Sequence, residues 1–155
     1  MTKSPTLEAL QAPLVSRLGY LLRRASTVMM ADLGERLAVV GLRPVEATIL
    51  ILVGAHPGCI QSDVGRVLGI KRANMAPLIS ALAAKGLLEK SPVDGRSLAL
   101  TLTPSGEAAK VEAEAVMDAH EARFEAMLAS RDAASLRTAL ALISWDTADG
   151  QMGPA

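Results

Sequence analysis

Between residues 61 and 97 the chain carries side chains suited to a polyanion. Lys71, Arg72 and Asn74 stand together in GIKRANMAP, and Arg96 follows Asp94 and Gly95. Guanidinium and ammonium groups neutralise phosphate. Arg and Asn side chains also present paired hydrogen-bonding groups that match base edges in a duplex groove. Sixteen basic residues balance sixteen acidic ones, and a net charge of zero taken alone argues against nucleic acid. The distribution argues the other way. Residues 60–102 hold six basic against three acidic side chains, and residues 103–155 hold four against nine. Binding follows a local patch rather than the total, so the middle third is the candidate for phosphate contact.

The elements that position these groups can be read from periodicity and punctuation. From Leu14 through Leu18, Leu21, Leu22, Ala25, Val28, Leu33 and Leu37, apolar residues recur at steps of three and four, which predicts one long amphipathic helix stopped by Gly41. Pro44 then opens an apolar helix that the HPG turn at 56–58 closes. A short helix runs from Gln61 to Leu68, with Gln61 or Ser62 at its start and Gly69 just past its end. The next helix ends at Lys85 before Gly86 and buries Met75, Leu78, Ile79 and Leu82. Asn74 as N-cap places Pro77 in its first turn, where a missing N–H costs nothing; an earlier start loses a backbone bond there. Two short helices with a tight Gly-containing connection form a helix-turn-helix. Extended runs on either side of Asp94-Gly95 predict a β-hairpin with those two residues at positive φ and Arg96 at its tip. Thr103-Pro104 starts a helix reaching about Leu128, and Asp132 opens the last one.

The fold class is therefore mainly α with a small β-hairpin wing, in a single domain over residues 1–155. Half of the residues are apolar, yet Tyr20, Phe124 and Trp145 are the only aromatics, so Leu, Ala, Val, Ile and Met must build the core. The opening MTKSPTLEAL lacks the apolar run of a signal peptide. The longest apolar stretch, Val45 to Ala55, is too short for a bilayer about 30 Å thick. One cysteine, Cys59, rules out an internal disulfide framework. These features predict a cytoplasmic protein with no membrane partner, no cofactor and no metal.

LGYLLRRA at 18–25, QSDVGRVLGIKRANMAPLISALAAKGLLEK at 61–90 and DGRSLALTLTPSGE at 94–107, in this order and spacing, resemble the MarR family of bacterial winged helix-turn-helix transcriptional regulators. The resemblance spans about residues 14 to 148. It implies a DNA-binding lobe at 42–102 and a helical dimerisation region at 14–41 and 103–148. Gln61, Ser62, Lys71, Arg72, Ala73, Asn74, Pro77, Asp94, Arg96 and Ser97 would meet a double-stranded operator. The helix beginning near Asn74 would enter the major groove and Arg96 the minor groove, with Asp94 bracing that arginine. The chain departs from the family where Ala73 and Pro77 stand in place of basic or small polar residues and Gly95 in place of a basic one. Fewer charged base contacts are then available.

The same resemblance implies a homodimer, with Leu14, Leu18, Leu136, Leu140, Ile143 and Trp145 as candidate interface residues. It also implies a small organic effector, an aromatic acid or its acyl-CoA thioester. Ser16, Tyr20, Arg23, Arg24, Met29, His56, Met117 and His120 are the candidate contacts, arginine for a carboxylate and Tyr20 for a hydroxyl. The function expected is a repressor of a catabolic or efflux operon that this ligand releases from a pseudo-palindromic site. The alternatives are a redox-sensing regulator using Cys59, expected in an interhelical turn, or a ligand-binding or protein-interaction module on the same fold. No catalytic residues are expected: neither a Ser/His/Asp spacing nor a glycine-rich phosphate loop is present.

Overall fold

The computed structural model describes residues 6–95 and 97–144. Arg96 and Trp145 lie outside the described residues. The elements run α1 (Leu7–Gln11), α2 (Leu18–Val39), α3 (Pro44–Ala55), β1 (Cys59–Ile60), α4 (Gln61–Val67), α5 (Arg72–Ala84), β2 (Leu88–Asp94), β3 (Ser97–Leu102), α6 (Pro104–Glu125) and α7 (Ser130–Ser144). The contacts fall into two compact units, Met1–Met117 and Asp118–Ala155. Among the described residues no single helix is long and apolar enough to cross a membrane.

Within the first unit, Leu37 of α2, Ile49, Leu50 and Val53 of α3, Met75, Ile79 and Leu82 of α5 and Leu100 of β3 form one buried core. The helix expected to start at Leu14 begins instead at Leu18, after the short α1 and a run of turns. Pro13, which lacks an N–H and crowds the residue before it, falls in that break. α4 ends at Gly69 (φ +64°) and α5 at Gly86 (φ +71°). Each glycine lets the next N–H turn back, Ile70 onto the Gly65 carbonyl at 2.8 Å and Leu87 onto the Leu82 carbonyl at 3.1 Å.

The start of α5 differs from expectation. Lys71 is its N-cap residue, Asn74 lies in the first turn, and Pro77 is inside the helix. An interior proline costs about 3 kcal/mol. Full burial of a large apolar side chain returns about 1.5–3 kcal/mol, and α5 buries three, Met75, Ile79 and Leu82. Packing therefore outweighs the proline. Gly65 of α4 permits the fit, since a Cβ there would lie 2.8 Å from the Met75 Cγ and 3.1 Å from the Ile70 carbonyl.

β1, which the sequence reading missed, joins the hairpin to give a three-stranded antiparallel sheet in the order β1-β3-β2. Cys59 thus sits in a strand, paired with Leu100, and not in a turn. Pro92 is tolerated in β2 because that strand is at the sheet edge. An irregularity between Pro92 and Asp94 shifts the register, so that Asp94 pairs with Ser97. The Asp94 carboxylate accepts the Ser97 N–H at 2.8 Å. The expected Asp94-Gly95 corner is thereby displaced by one residue, and Gly95 does not take the positive φ that the sequence suggested.

A buried carboxylate ties the helices of this unit together. Glu46, 1% exposed, accepts the Arg43 N–H at 2.9 Å and the Lys85 ammonium at 2.9 Å, and its other oxygen faces the Arg43 guanidinium at 3.3 Å. Burial alone would raise this carboxyl, but the hydrogen bonds from the Arg43 backbone, Lys85 and the Arg43 side chain outweigh it and hold the group below its ordinary value. At α6, Thr103 caps as expected, accepting the Gly106 N–H at 2.9 Å, and its hydroxyl donates to the Gly86 carbonyl at 2.6 Å.

The second unit holds the end of α6 and α7. His120 is buried and tilts against Phe124, ring centroids 4.9 Å apart. Arg123 lies over the Phe124 ring, and Arg137 pairs with Glu125. α6 stops at Glu125, three residues before the expected Leu128. α7 starts two residues before Asp132, because Asp132 and Ala133 both donate to the Ala129 carbonyl.

A Cβ on Gly106 would overlap the Leu87 carbonyl, a backbone atom with no rotamer to yield. Gly106→Ala is expected to lower unfolding free energy by about 1–3 kcal/mol or more, read by urea titration. An unchanged midpoint would show that α6 and the Gly86–Leu87 turn do not approach so closely.

Candidate nucleic-acid interface

The burial of Met75, Ile79 and Leu82 turns the opposite face of α5 to solvent. Ala73 and Pro77 are exposed on that face, Arg72 and Asn74 are exposed toward its flanks, and Lys71 is exposed at the N-cap. The leading end therefore presents two cations and an amide, followed by a face of small apolar groups. A thin face of this kind suits close approach to a groove floor, and alanine methyls can meet thymine methyls.

The helix end and the sheet converge. Ile60, Gln61, Ser62 and Gly65 of the β1–α4 segment, Ile70, Arg72 and Met75 at the start of α5, and Ser97 and Leu98 of β3 enclose one cleft of about 240 Å³. Four of the residues singled out from sequence, Gln61, Ser62, Arg72 and Ser97, thus share a single concavity. Lys71, Ala73, Asn74, Pro77 and Asp94 are not in its walls, although Lys71, Ala73 and Asn74 flank Arg72 in sequence and Asp94 is bonded to the Ser97 N–H. The apolar floor supplied by Ile60, Ile70, Met75 and Leu98 was not read from sequence. The signal for it would have been recognising Cys59-Ile60 as a third strand. Arg66, another cation of this segment, is engaged by Asp63 of its own helix at 2.9 Å.

Within the first unit the candidate effector contacts do not assemble as a group. Tyr20, Arg23 and Arg24, with Thr27 and Val28, line an open concavity along α2. Ser16 is exposed in the turn before α2, and Met29 is half-buried farther along that helix; neither is in those walls. His56 is exposed at the end of α3, and Met117 packs against the core. In the second unit, the His120 ring is taken up by Phe124 and by the Glu121 carboxylate, 3.8 Å from Nδ1. The candidate dimer residues Leu14, Leu18, Leu136 and Ile143 are exposed, at 40%, 63%, 44% and 52%, and Leu140 is half-buried. Leu14, Leu18, Leu136 and Ile143 thus keep apolar surface that packing within the chain does not cover.

Among the described residues no three His, Cys, Asp or Glu side chains gather as metal ligands would. Cys59 is half-buried, and burial, with the Asp63 carboxylate adding to it, pushes its thiol above the ordinary value. A redox sensor needs the opposite shift.

Two short helices meeting at Gly69, with a β-hairpin directly after the second, define a winged helix-turn-helix protein. The MarR family model matches residues 40–97, which cover the helix-turn-helix and most of the wing. The HTH-type transcriptional repressor Rv2887 of Mycobacterium tuberculosis is 33% identical over 113 residues, 72% of this chain and 81% of that protein. Among solved structures, the transcriptional repressor CouR bound to a 23-mer DNA duplex is 33% identical, with a TM-score of 0.81 over 91% of this chain and 99% of that one. CouR bound to p-coumaroyl-CoA is 30% identical, with a TM-score of 0.79 over 93% and 99%. The chain belongs to the MarR family of transcriptional regulators.

The raised thiol makes a direct prediction. Alkylation of Cys59 by iodoacetamide at pH 7 is expected to be slower than that of a free cysteine, and its midpoint with pH higher. Rapid labelling at neutral pH would reopen the redox reading.

Proposed function

We propose that this protein is a cytoplasmic, ligand-responsive repressor, and not an enzyme, that binds double-stranded operator DNA as a homodimer. It is one domain over residues 1–155, with residues 42–102 as the DNA-binding lobe and residues 14–41 and 103–148 as the helical dimerisation region. α5 lies in the major groove, with Lys71, Arg72 and Asn74 leading, and the β2–β3 hairpin brings Arg96 to the minor groove. Gln61, Ser62 and Ser97 contact the backbone on either side. A two-fold dimer reads a pseudo-palindrome whose half-sites lie about one helical turn apart.

The observation that carries this reading is the single cleft shared by Gln61, Ser62, Arg72 and Ser97 beside the exposed cationic end of α5. Residues of the helix-turn-helix and of β3 line it together. The DNA duplex held by the similar CouR supports the same assignment. The exposed leucines and Ile143 supply apolar surface for a second copy.

The effector is a small aromatic acid or its CoA thioester, a class supported by the p-coumaroyl-CoA bound to CouR. It docks against the α2 concavity, where Arg23 or Arg24 can hold a carboxylate or phosphate and Tyr20 a hydroxyl. Binding favours a spacing of the two α5 helices that mismatches successive major grooves. A coupling of about 1–3 kcal/mol gives a 5- to 150-fold loss of operator affinity.

Operator binding is tested by fluorescence anisotropy on the region upstream of the protein's own gene against random duplex. Arg72→Ala and Arg96→Ala are each expected to weaken binding and to reduce the salt slope by about one. Unchanged affinity and slope in both variants, or a wild-type protein without preference for its upstream region, would overturn the assignment. Arg23→Ala is expected to leave operator affinity in place and to blunt release by p-coumaroyl-CoA. Release at wild-type concentrations would remove Arg23 from the effector site.

A further inference from the structure

Arg43, Glu46 and Lys85 do not line the cleft, yet their bonds reach the far end of α5. Lys85 is the C-cap residue of α5. Its ammonium donates to the Gly41 carbonyl at 3.1 Å and to the Glu46 carboxylate at 2.9 Å. Gly41 lies in the turn that ends α2, and Glu46 in the first turn of α3, so one ammonium joins three helices. On its other side the same end of α5 is held by the Thr103 hydroxyl on the Gly86 carbonyl. At the leading end Lys71, the N-cap, makes no side-chain capping bond, and the helix is held there by Met75 packed against Gly65 of α4. Polar bonds at the far end and apolar packing at the leading end together set the position of Arg72 and Asn74.

We propose that Lys85, held by Glu46, is a positioning residue for base readout, fixing the pivot of α5 so that its leading side chains meet base edges in register. This rests on the DNA-binding function proposed above. Glu46 is 1% exposed and held by three donors, so it is a fixed anchor. Lys85, 41% exposed, is the partner that can be removed with little loss of core. The pair should govern discrimination and not bulk affinity, because phosphate neutralisation tolerates small displacements and bidentate base contact does not. The Gly41 contact also places the pivot at the end of α2, the helix that carries the Tyr20, Arg23 and Arg24 concavity.

The experiment measures the ratio of affinities for the upstream operator and for random duplex, well below the melting transition of each variant. Lys85→Met keeps the aliphatic stem and removes a positive charge; Glu46→Gln keeps the shape and removes a negative one. Both are expected to lower the ratio about tenfold, the loss of one good base contact, with random-duplex salt slopes unchanged. Lys85→Arg is expected to restore most of the ratio. A purely structural role would lower the melting temperature and leave the ratio intact, and a bulk charge effect would move the two variants in opposite directions. Either result overturns the proposal. If the wild-type protein itself shows no operator preference, the regulatory reading falls and this one with it. If the wild type discriminates and Lys85→Met discriminates equally, only the positioning role falls.

Discussion

Burial of one side of α5 is the constraint on which the rest depends. Met75, Ile79 and Leu82 enter the core at helical spacing, and that phase alone commits the opposite side to solvent. Ala73 and Pro77 are exposed because that phase turns them away from the core, and Lys71 and Arg72 are exposed because they stand at the end of the helix. The same phase explains why Pro77 is carried inside the helix: packing three large apolar groups outweighs one strained position.

α5 must also be held against rotation, and apolar contacts resist this poorly because they are non-directional. The structure adds directional bonds at the far end of α5, from Lys85 to Glu46 and Gly41 and from Thr103 to Gly86. Glu46 can remain charged under full burial only because backbone and side-chain donors surround it, so its charge cannot be separated from the geometry of those helices. Close approaches at Gly65 and Gly106 serve the same end, since a side chain at either would push α5 or its exit turn away from its neighbours.

The surface left over is unusually apolar for a charge-balanced chain. Leu18, Leu21, Val28, Leu136 and Ile143 are exposed, and the α2 concavity offers Tyr20 as its one aromatic lining residue beside Arg23, Arg24, Thr27 and Val28. Recognition there would rest on the arginines for charge and on shape for the remainder.

Local signals determined where α4 and α5 end, where α3 and α6 begin, and that a hairpin follows α5. Gly69, Gly86, Pro44 and Thr103-Pro104 act through their own φ preferences and caps, which need no distant partner. Tertiary structure decided what depends on residues far apart in the chain. β1 exists only because Cys59 and Ile60 find Leu100 and Ala99, and α5 begins at Arg72 because the core accepts Met75. The Glu46–Lys85 bond joins residues 39 apart. Spacing along a sequence encodes dihedral preference and amphipathic phase, whereas a buried charge pair or a two-residue strand is stable only once the remainder of the fold has removed water from around it.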